Sequence, residues 1–132
     1  MALDPNLDDN FGVSVDIYND IAIVGANLDD ESGANRGAAY IFRFNGTTWV
    51  QEQKLIASDA EDGDQFGTSV AIYDTIAVIG AYGDDVGGFN TGSVYVYYLC
   101  VCTFIFFLRN EKLFLARKQK NYCKRDLSCP IF

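Results

Sequence analysis

The sequence contains no histidine. Histidine is the usual general base near neutral pH and the commonest metal ligand, so its absence excludes Ser-His-Asp, Cys-His and zinc-histidine mechanisms. Residues 1–99 also contain no cysteine, because all four cysteines lie in the tail, at Cys100, Cys102, Cys123 and Cys129. We therefore expect the larger part of the chain to fold without a disulfide framework.

Basic residues are scarce before position 100. Residues 1–99 hold three Lys and Arg against 16 Asp and Glu, whereas residues 100–132 hold seven basic and two acidic residues. An acidic segment repels phosphate, so we predict no nucleic-acid partner for residues 1–99. The basic residues of the tail are expected to be solvated rather than bound to an acidic surface.

The main positive signal is an internal repeat with a period of 55 residues. Phe11-Gly12 and Gly25-Ala26 recur as Phe66-Gly67 and Gly80-Ala81, and 19 residues between positions 2 and 44 are identical to the residue 55 positions later. A period of this length is typical of solenoids, propellers and arrays. We therefore predict tandem units for residues 1–99, with the first at about 9–57 and the second at about 64–99.

Each unit carries the pattern of four antiparallel strands. Residues 13–17 alternate apolar and polar side chains, as in a half-buried strand, and residues 21–24 are continuously apolar, as in a strand covered on both faces. Residues 37–44 and 49–56 complete the unit, joined at Asn45-Gly46, a strong signal for a two-residue hairpin. Four such strands make one propeller blade. The predicted fold class is all-β, with about two antiparallel four-stranded blades of an incomplete β-propeller and an irregular basic tail over residues 100–132.

Small residues predict how the blades pack. Gly12 and Gly67 follow an aromatic residue, where the lack of a Cβ allows close approach of another backbone. The Gly-Ala pair that ends the second strand of each unit is expected to leave space for the ring of Phe11 or Phe66 in a neighbouring blade. This packing needs no ligand.

The Phe-Gly and Gly-Ala pairs, each followed by an Asp-Asp loop and Gly-x-x-Tyr, together resemble the FG-GAP repeat. This repeat is the blade unit of the seven-bladed propeller in the integrin α-chain head, and the resemblance covers residues 2–99. It implies a non-catalytic structural module with a protein-binding or adhesion role at the cell surface or outside the cell. Because a closed propeller needs about four to eight blades, we expect a protein partner or self-association through open blade edges.

The calcium-binding form of this repeat resembles an EF-hand loop between the first two strands of the blade. This chain has only Asn19-Asp20 and Asp74-Thr75 there, which is too short to surround an ion that takes six to eight oxygens. We therefore carry over no calcium ligands and predict no metal, cofactor or catalytic residues. The loops at Asp29-Asp30 and Asp84-Asp85 are predicted to be solvated turns, with calcium binding as the less favoured alternative.

The tail from residue 100 no longer follows the repeat, and three interpretations stay open. It is a divergent fourth strand with a disordered basic end, sequence foreign to the repeat, or a membrane anchor. The last rests on residues 94–108, which are 15 uncharged residues followed by basic ones, although a spanning helix needs about 20. The cysteine spacings do not fit a zinc site, so free thiols are expected.

Two further alternatives concern function. A hydrolase-associated propeller would use Asp29, Asp30, Asp84 and Asp85 in acid/base pairs, but no nucleophile accompanies them. Asn45 also begins a glycosylation sequon, although the Asn-Gly turn accounts for it without a sugar. The N-terminal residues have neither a basic nor an apolar signal-peptide region, so we expect no signal peptide and predict no compartment from the residues themselves.

Overall fold

The computed structural model describes residues 8–85, 87–88 and 91–99, together with two strands in the tail. Every regular element in these parts of the chain is a β-strand, which confirms the all-β prediction. The chain forms two compact units, Met1–Tyr97 and Tyr98–Phe132.

Two sheets make up most of the first unit. The first blade has the order β1-β2-β3-β4 and the second has the order β5-β6-β7, and the register within each is antiparallel. These sheets are the predicted blades, and they do not close into a ring. The strands are β1 (Phe11–Tyr18), β2 (Ile21–Ala26), β3 (Ala38–Phe44), β4 (Trp49–Leu55), β5 (Phe66–Tyr73), β6 (Ile76–Ala81) and β7 (Ser93–Tyr98).

The turn between the first two strands of each blade agrees with the sequence prediction, whereas the loop between β3 and β4 is longer than predicted. Asn19 and Asp74 have φ of 52° and 53°, as residues that tolerate the left-handed region do in two-residue turns. The hairpin predicted at Asn45-Gly46 is confirmed, since β3 and β4 pair in antiparallel, but four residues rather than two separate their paired ends. The side-chain oxygen of Asn45 accepts hydrogen bonds from the backbone N–H groups of Thr47 and Thr48, which widens the loop into an Asx-type turn.

A fourth strand of the second blade is not seen among the described residues. The repeat position of β4 is occupied by β8 (Phe104–Arg109), which pairs with β9 (Lys112–Arg117) in a separate two-stranded sheet. The predictions for the cysteines fall outside the described residues. Across the described part of the chain, the structure contains no helix long and apolar enough to cross a membrane.

The two blades pack together along a seam where β5 lies against β1 and β2. The Ser14 hydroxyl donates a 2.7 Å hydrogen bond to the Gly67 carbonyl. That carbonyl oxygen lies 2.0 Å from where a Cβ on Gly25 would stand, and a Cβ on Gly67 would lie 2.3 Å from the Ala38 carbonyl oxygen. Both glycines are therefore required for the close approach of the two backbones.

This seam corrects the predicted packing of the aromatic ring. The space beside Gly25 is taken by the Gly67 carbonyl, whereas the Phe66 ring stands edge-on to Tyr95 and Tyr97 of its own blade, at centroid distances of 5.4 and 6.1 Å. The neighbouring blade was therefore predicted correctly, but the group that fills the space is the backbone carbonyl one residue after the ring rather than the ring itself. Gly12 has no atom within 4 Å of a built Cβ and a φ of +95°, so its own turn, rather than a close approach, requires glycine.

The loop before β3 extends the seam. Its carbonyl groups accept three backbone hydrogen bonds from the segment before β5, at 2.9 to 3.1 Å. Arg36 and Asp62 form a 2.7 Å ion pair beside them. These contacts fix the position of the segment that leads into β5. The hydrogen-bonded pairs are Gly63 N with Ala34 O, Gln65 N with Asn35 O, and Phe66 N with Arg36 O.

Candidate functional site

A buried carboxylate begins the long loop of each blade. Asp29 and Asp84 are each 1% exposed. Tyr40 donates its hydroxyl proton to Asp29 Oδ2 at 2.6 Å, and Tyr95 does the same to Asp84 Oδ2 at 2.6 Å. Because the sequence repeat reproduces this geometry, the Asp–Tyr pair is a property of the blade and connects the loop to β3 or β7.

In the first blade a cation also compensates the buried carboxylate. Lys54 Nζ lies 2.9 Å from Asp29 Oδ2 and pairs with Glu31 as well. It stands 5.3 Å from the centroid of the Tyr40 ring, and the Glu31 N–H donates to Asp29 Oδ1 at 3.3 Å. A buried charge is tolerated only when it is paired and hydrogen-bonded, and Asp29 meets both conditions.

In the second blade the tyrosine lies between two carboxylates. The Tyr95 hydroxyl is 2.6 Å from Asp84 Oδ2 and 2.8 Å from Asp59 Oδ1. A phenol carries one proton, so it donates to one carboxylate or shares its proton between them. The contact connects the loop after β6 with the segment before β5.

Both tyrosines are held in their neutral form. Burial raises the pKa of Tyr40 well above its usual range, the hydrogen bond to Asp29 raises it further, and Lys54 opposes the shift. Burial also raises the pKa of Tyr95, helped by its hydrogen bonds to Asp84 and Asp59. A phenol with a raised pKa remains a proton donor and does not act as a base or nucleophile at neutral pH.

The predicted solvated loops are solvated only in part. Asp30 and Asp85 are exposed, whereas Asp29 and Asp84 point inward and bind tyrosines. The acid/base pairs considered for a hydrolase are thus divided between surface and interior. Within the described residues, no group of three or more His, Cys, Asp or Glu side chains gathers where it could hold a metal ion.

The role of Tyr40 and Tyr95 was not predicted from the sequence. A signal was present, because Asp29 and Tyr40 are 11 residues apart and Asp84 and Tyr95 have the same separation. Identity at both ends of the loop in both repeats indicates a contact between them.

Two blade faces carry exposed apolar side chains. Directly opposed residues in antiparallel strands point to the same side, so the sheet registers define these faces. The leading face is the side of the first blade that presents Phe11, Val13, Val15 and Ile17, all exposed. The trailing face is the opposite side of the second blade and presents Ser69, Ala71, Ile76 and Val96. The ring of Tyr73 instead contacts Tyr18 of the first blade, at a centroid distance of 4.8 Å.

Tandem antiparallel blades, joined by a glycine-dependent seam and each braced by an Asp–Tyr pair, define a structural repeat of the β-propeller type. The sequence matches the FG-GAP repeat over residues 1–42 and 49–97, which is more than half of the chain. The chain belongs to the FG-GAP repeat family. No curated protein and no solved structure gives a significant match.

Proposed function

We propose that this chain is a non-catalytic, adhesion-like structural module that works by binding protein through its leading and trailing faces. The observation that carries the proposal is the position of the large apolar side chains. Val15, Ile17 and Val96 are more than half exposed, although they lie on regular strands next to a well-packed seam. Contiguous exposed apolar residues mark protein-binding surfaces.

The polar groups of the blades support the same function. The buried carboxylates are paired with Tyr40 and Tyr95, and these tyrosines remain protonated because burial raises their pKa. The Asp–Tyr pair of each blade therefore stabilises that blade, and the apolar faces are the surfaces available to bind a protein partner. FG-GAP repeats are generally structural rather than catalytic, which agrees with this division.

The test is site-specific photo-crosslinking in cells that make the chain. A benzophenone amino acid replaces Val15 on the leading face, and the matched control carries it at Glu52, an exposed position on β4. We expect a discrete protein adduct at position 15 and a much weaker one at position 52, with the partner identified by mass spectrometry. Equal labelling at the two positions would overturn the proposal.

A further inference from the structure

We propose that the trailing face of one chain binds the leading face of a second copy, in the geometry that joins the second blade to the first within one chain. The inference rests on the proposed protein-binding function and names the partner. Its basis is the seam between the blades, because the 55-residue repeat places equivalent residues on the two open faces.

Repeat-equivalent side chains show what the seam covers. On the leading side, Phe66 is 0% exposed and Ile72 is 6% exposed at the seam, whereas their open counterparts Phe11 and Ile17 are 39% and 60% exposed. On the trailing side, Ile21 is 4% exposed at the seam and its counterpart Ile76 is 38% exposed. Each open face therefore carries the apolar positions that the seam buries.

The space around the glycines also differs between the seam and the open faces. At the seam, the Gly67 carbonyl fills the position of a Cβ on Gly25. The counterpart of Gly25 is Gly80, where the three atoms nearest a built Cβ all belong to Ser69 of the same blade. The counterpart of Gly67 is Gly12, which meets nothing within 4 Å. The open faces retain the space that a neighbouring backbone needs, and the Gly12 carbonyl of a second copy fits beside Gly80.

Ser14 and Asp16 of β1 each form a side-chain hydrogen bond across the seam, and the first of these two bonds has a counterpart on the open faces. Ser69 is the counterpart of Ser14 and is placed to donate to the Gly12 carbonyl of the second copy, as Ser14 does to Gly67. At the seam, Asp16 Oδ2 accepts from the Ile72 N–H at 2.8 Å, whereas the trailing face has Ala71 at that position. The leading face does not require the carboxylate, because the Ile17 N–H already donates to Asp16 Oδ1 of its own blade.

The resulting contact is heterologous, since two different faces meet. Such contacts form rings when the rotation closes and open filaments when it does not. If each copy contributes the two blades described for residues 8–99, about two to four copies would supply the roughly four to eight blades of a closed propeller. The inference therefore predicts a small closed oligomer built by head-to-tail stacking.

Two charged variants of the full chain test the proposal by sedimentation velocity. The leading-face variant carries Val15→Lys and Ile17→Lys, and the trailing-face variant carries Ala71→Lys and Val96→Lys. Burying unpaired ammonium groups is strongly unfavourable, so each variant alone is expected to be a monomer, with association weakened at least about a hundredfold. An equimolar mixture is expected to form a one-to-one dimer, because one intact face of each kind remains.

Circular dichroism must show that each variant unfolds at the same temperature as the parent chain at a concentration where the parent is monomeric, because association by itself raises the unfolding temperature. Val50→Lys, on an exposed apolar residue of β4, is the control for the added charge. Self-association of either variant alone at the parent's concentration, or a mixture that stays monomeric, overturns the proposal. If crosslinking at position 15 instead captures a different protein and the parent chain is monomeric, the protein-binding function holds and this inference fails. Absence of any adduct defeats both.

A second pair of variants tests the same proposal without added charge, in case the lysine variants misfold. Gly12 and Gly46 share a φ of +95° and have no atom within 4 Å of a built Cβ, so alanine strains both turns equally. Only Gly12 lies on the leading face, where the added methyl group would collide with the second copy. We expect Gly12→Ala to weaken association at least about tenfold and Gly46→Ala to leave it unchanged, and equal effects would overturn the proposal.

Discussion

At the scale of single residues, the buried carboxylates Asp29 and Asp84 hydrogen-bond a tyrosine on a strand of their own blade. Asp29 is accessible to neither substrate nor water, and its oxygens are taken up by Tyr40, Lys54 and a backbone N–H. The loop of each blade is attached to its third strand through this contact. The stability of the blade should therefore depend on one phenolic hydroxyl.

Tyr40→Phe removes that hydroxyl without changing the ring. Hydrogen bonds to charged groups contribute about 1.5 to 3 kcal/mol, and we expect the free energy of unfolding in urea to fall by about that amount. Tyr82→Phe is the matched control, because Tyr82 is exposed and its hydroxyl is solvated. A loss at Tyr40 no larger than that at Tyr82 would show that the pair does not stabilise the loop.

The raised pKa of Tyr40 and Tyr95 gives stability a defined dependence on pH. In the unfolded chain a tyrosine loses its proton near pH 10, whereas these two keep theirs in the folded chain to higher pH. Above about pH 10 the unfolded state binds fewer protons than the folded state, so stability falls as pH rises. Their contribution is complete below about pH 10.

Phenolate absorbance during alkaline titration measures this effect. We expect the signal of Tyr40 and Tyr95 to appear together with loss of the far-ultraviolet circular dichroism of the sheets. The double variant Tyr40→Phe and Tyr95→Phe should show a weaker dependence of stability on pH above 10. Ionisation of all tyrosines in a chain that is still folded would contradict the account.

At the scale of strands and loops, the seam depends on backbone approach more than on large side chains. Gly12 and Gly67 are equivalent in the repeat and have φ of +95° and +90°, but only Gly67 has a carbonyl oxygen 2.3 Å from a built Cβ. Comparing alanine substitutions at these two positions therefore separates the strain of a left-handed backbone from the collision between blades.

Gly67→Ala should destabilise the chain far more than Gly12→Ala. Both variants carry the backbone strain of about 1 to 3 kcal/mol, and the collision at position 67 should add about 1 to 3 kcal/mol or more. Urea unfolding at a concentration where the chain is monomeric measures the difference. Equal losses would mean that the two blades are not packed as the structure shows.

Much of this architecture could be predicted from the sequence, because the strand signals are local. The alternation in 13–17 and the apolar run in 21–24 depend on neighbours in the chain, and the repeat confirms each by a second copy. The occupant of the space beside Gly25 could not be predicted, since a carbonyl group of Gly67 carries no sequence signal. The four-residue loop at Asn45 differs from the prediction because a side-chain oxygen competed with the backbone for two N–H groups.

The candidate site was harder to predict than the fold. Pairs of adjacent aspartates have the same charge in the sequence, but Asp29 is buried and Asp30 is exposed. Only the position of the loop relative to β3 decides which one turns inward. The separation of 11 residues between Asp29 and Tyr40, repeated at Asp84 and Tyr95, was the one local clue.

At the scale of the whole molecule, the described part of the chain has two blades, one packed seam and two faces that resemble the two sides of that seam. On the leading face, Val15 and Ile17 are exposed to water. Covering these faces with a second copy buries more apolar surface in a geometry that the chain already uses.

Sedimentation velocity of the unmodified chain over a wide range of concentrations tests this claim most directly. We predict that the sedimentation coefficient rises with concentration toward that of a small closed oligomer, and that Val15→Lys with Ile17→Lys removes the rise. A single monomeric boundary at every concentration would contradict the claim that the leading and trailing faces bind each other.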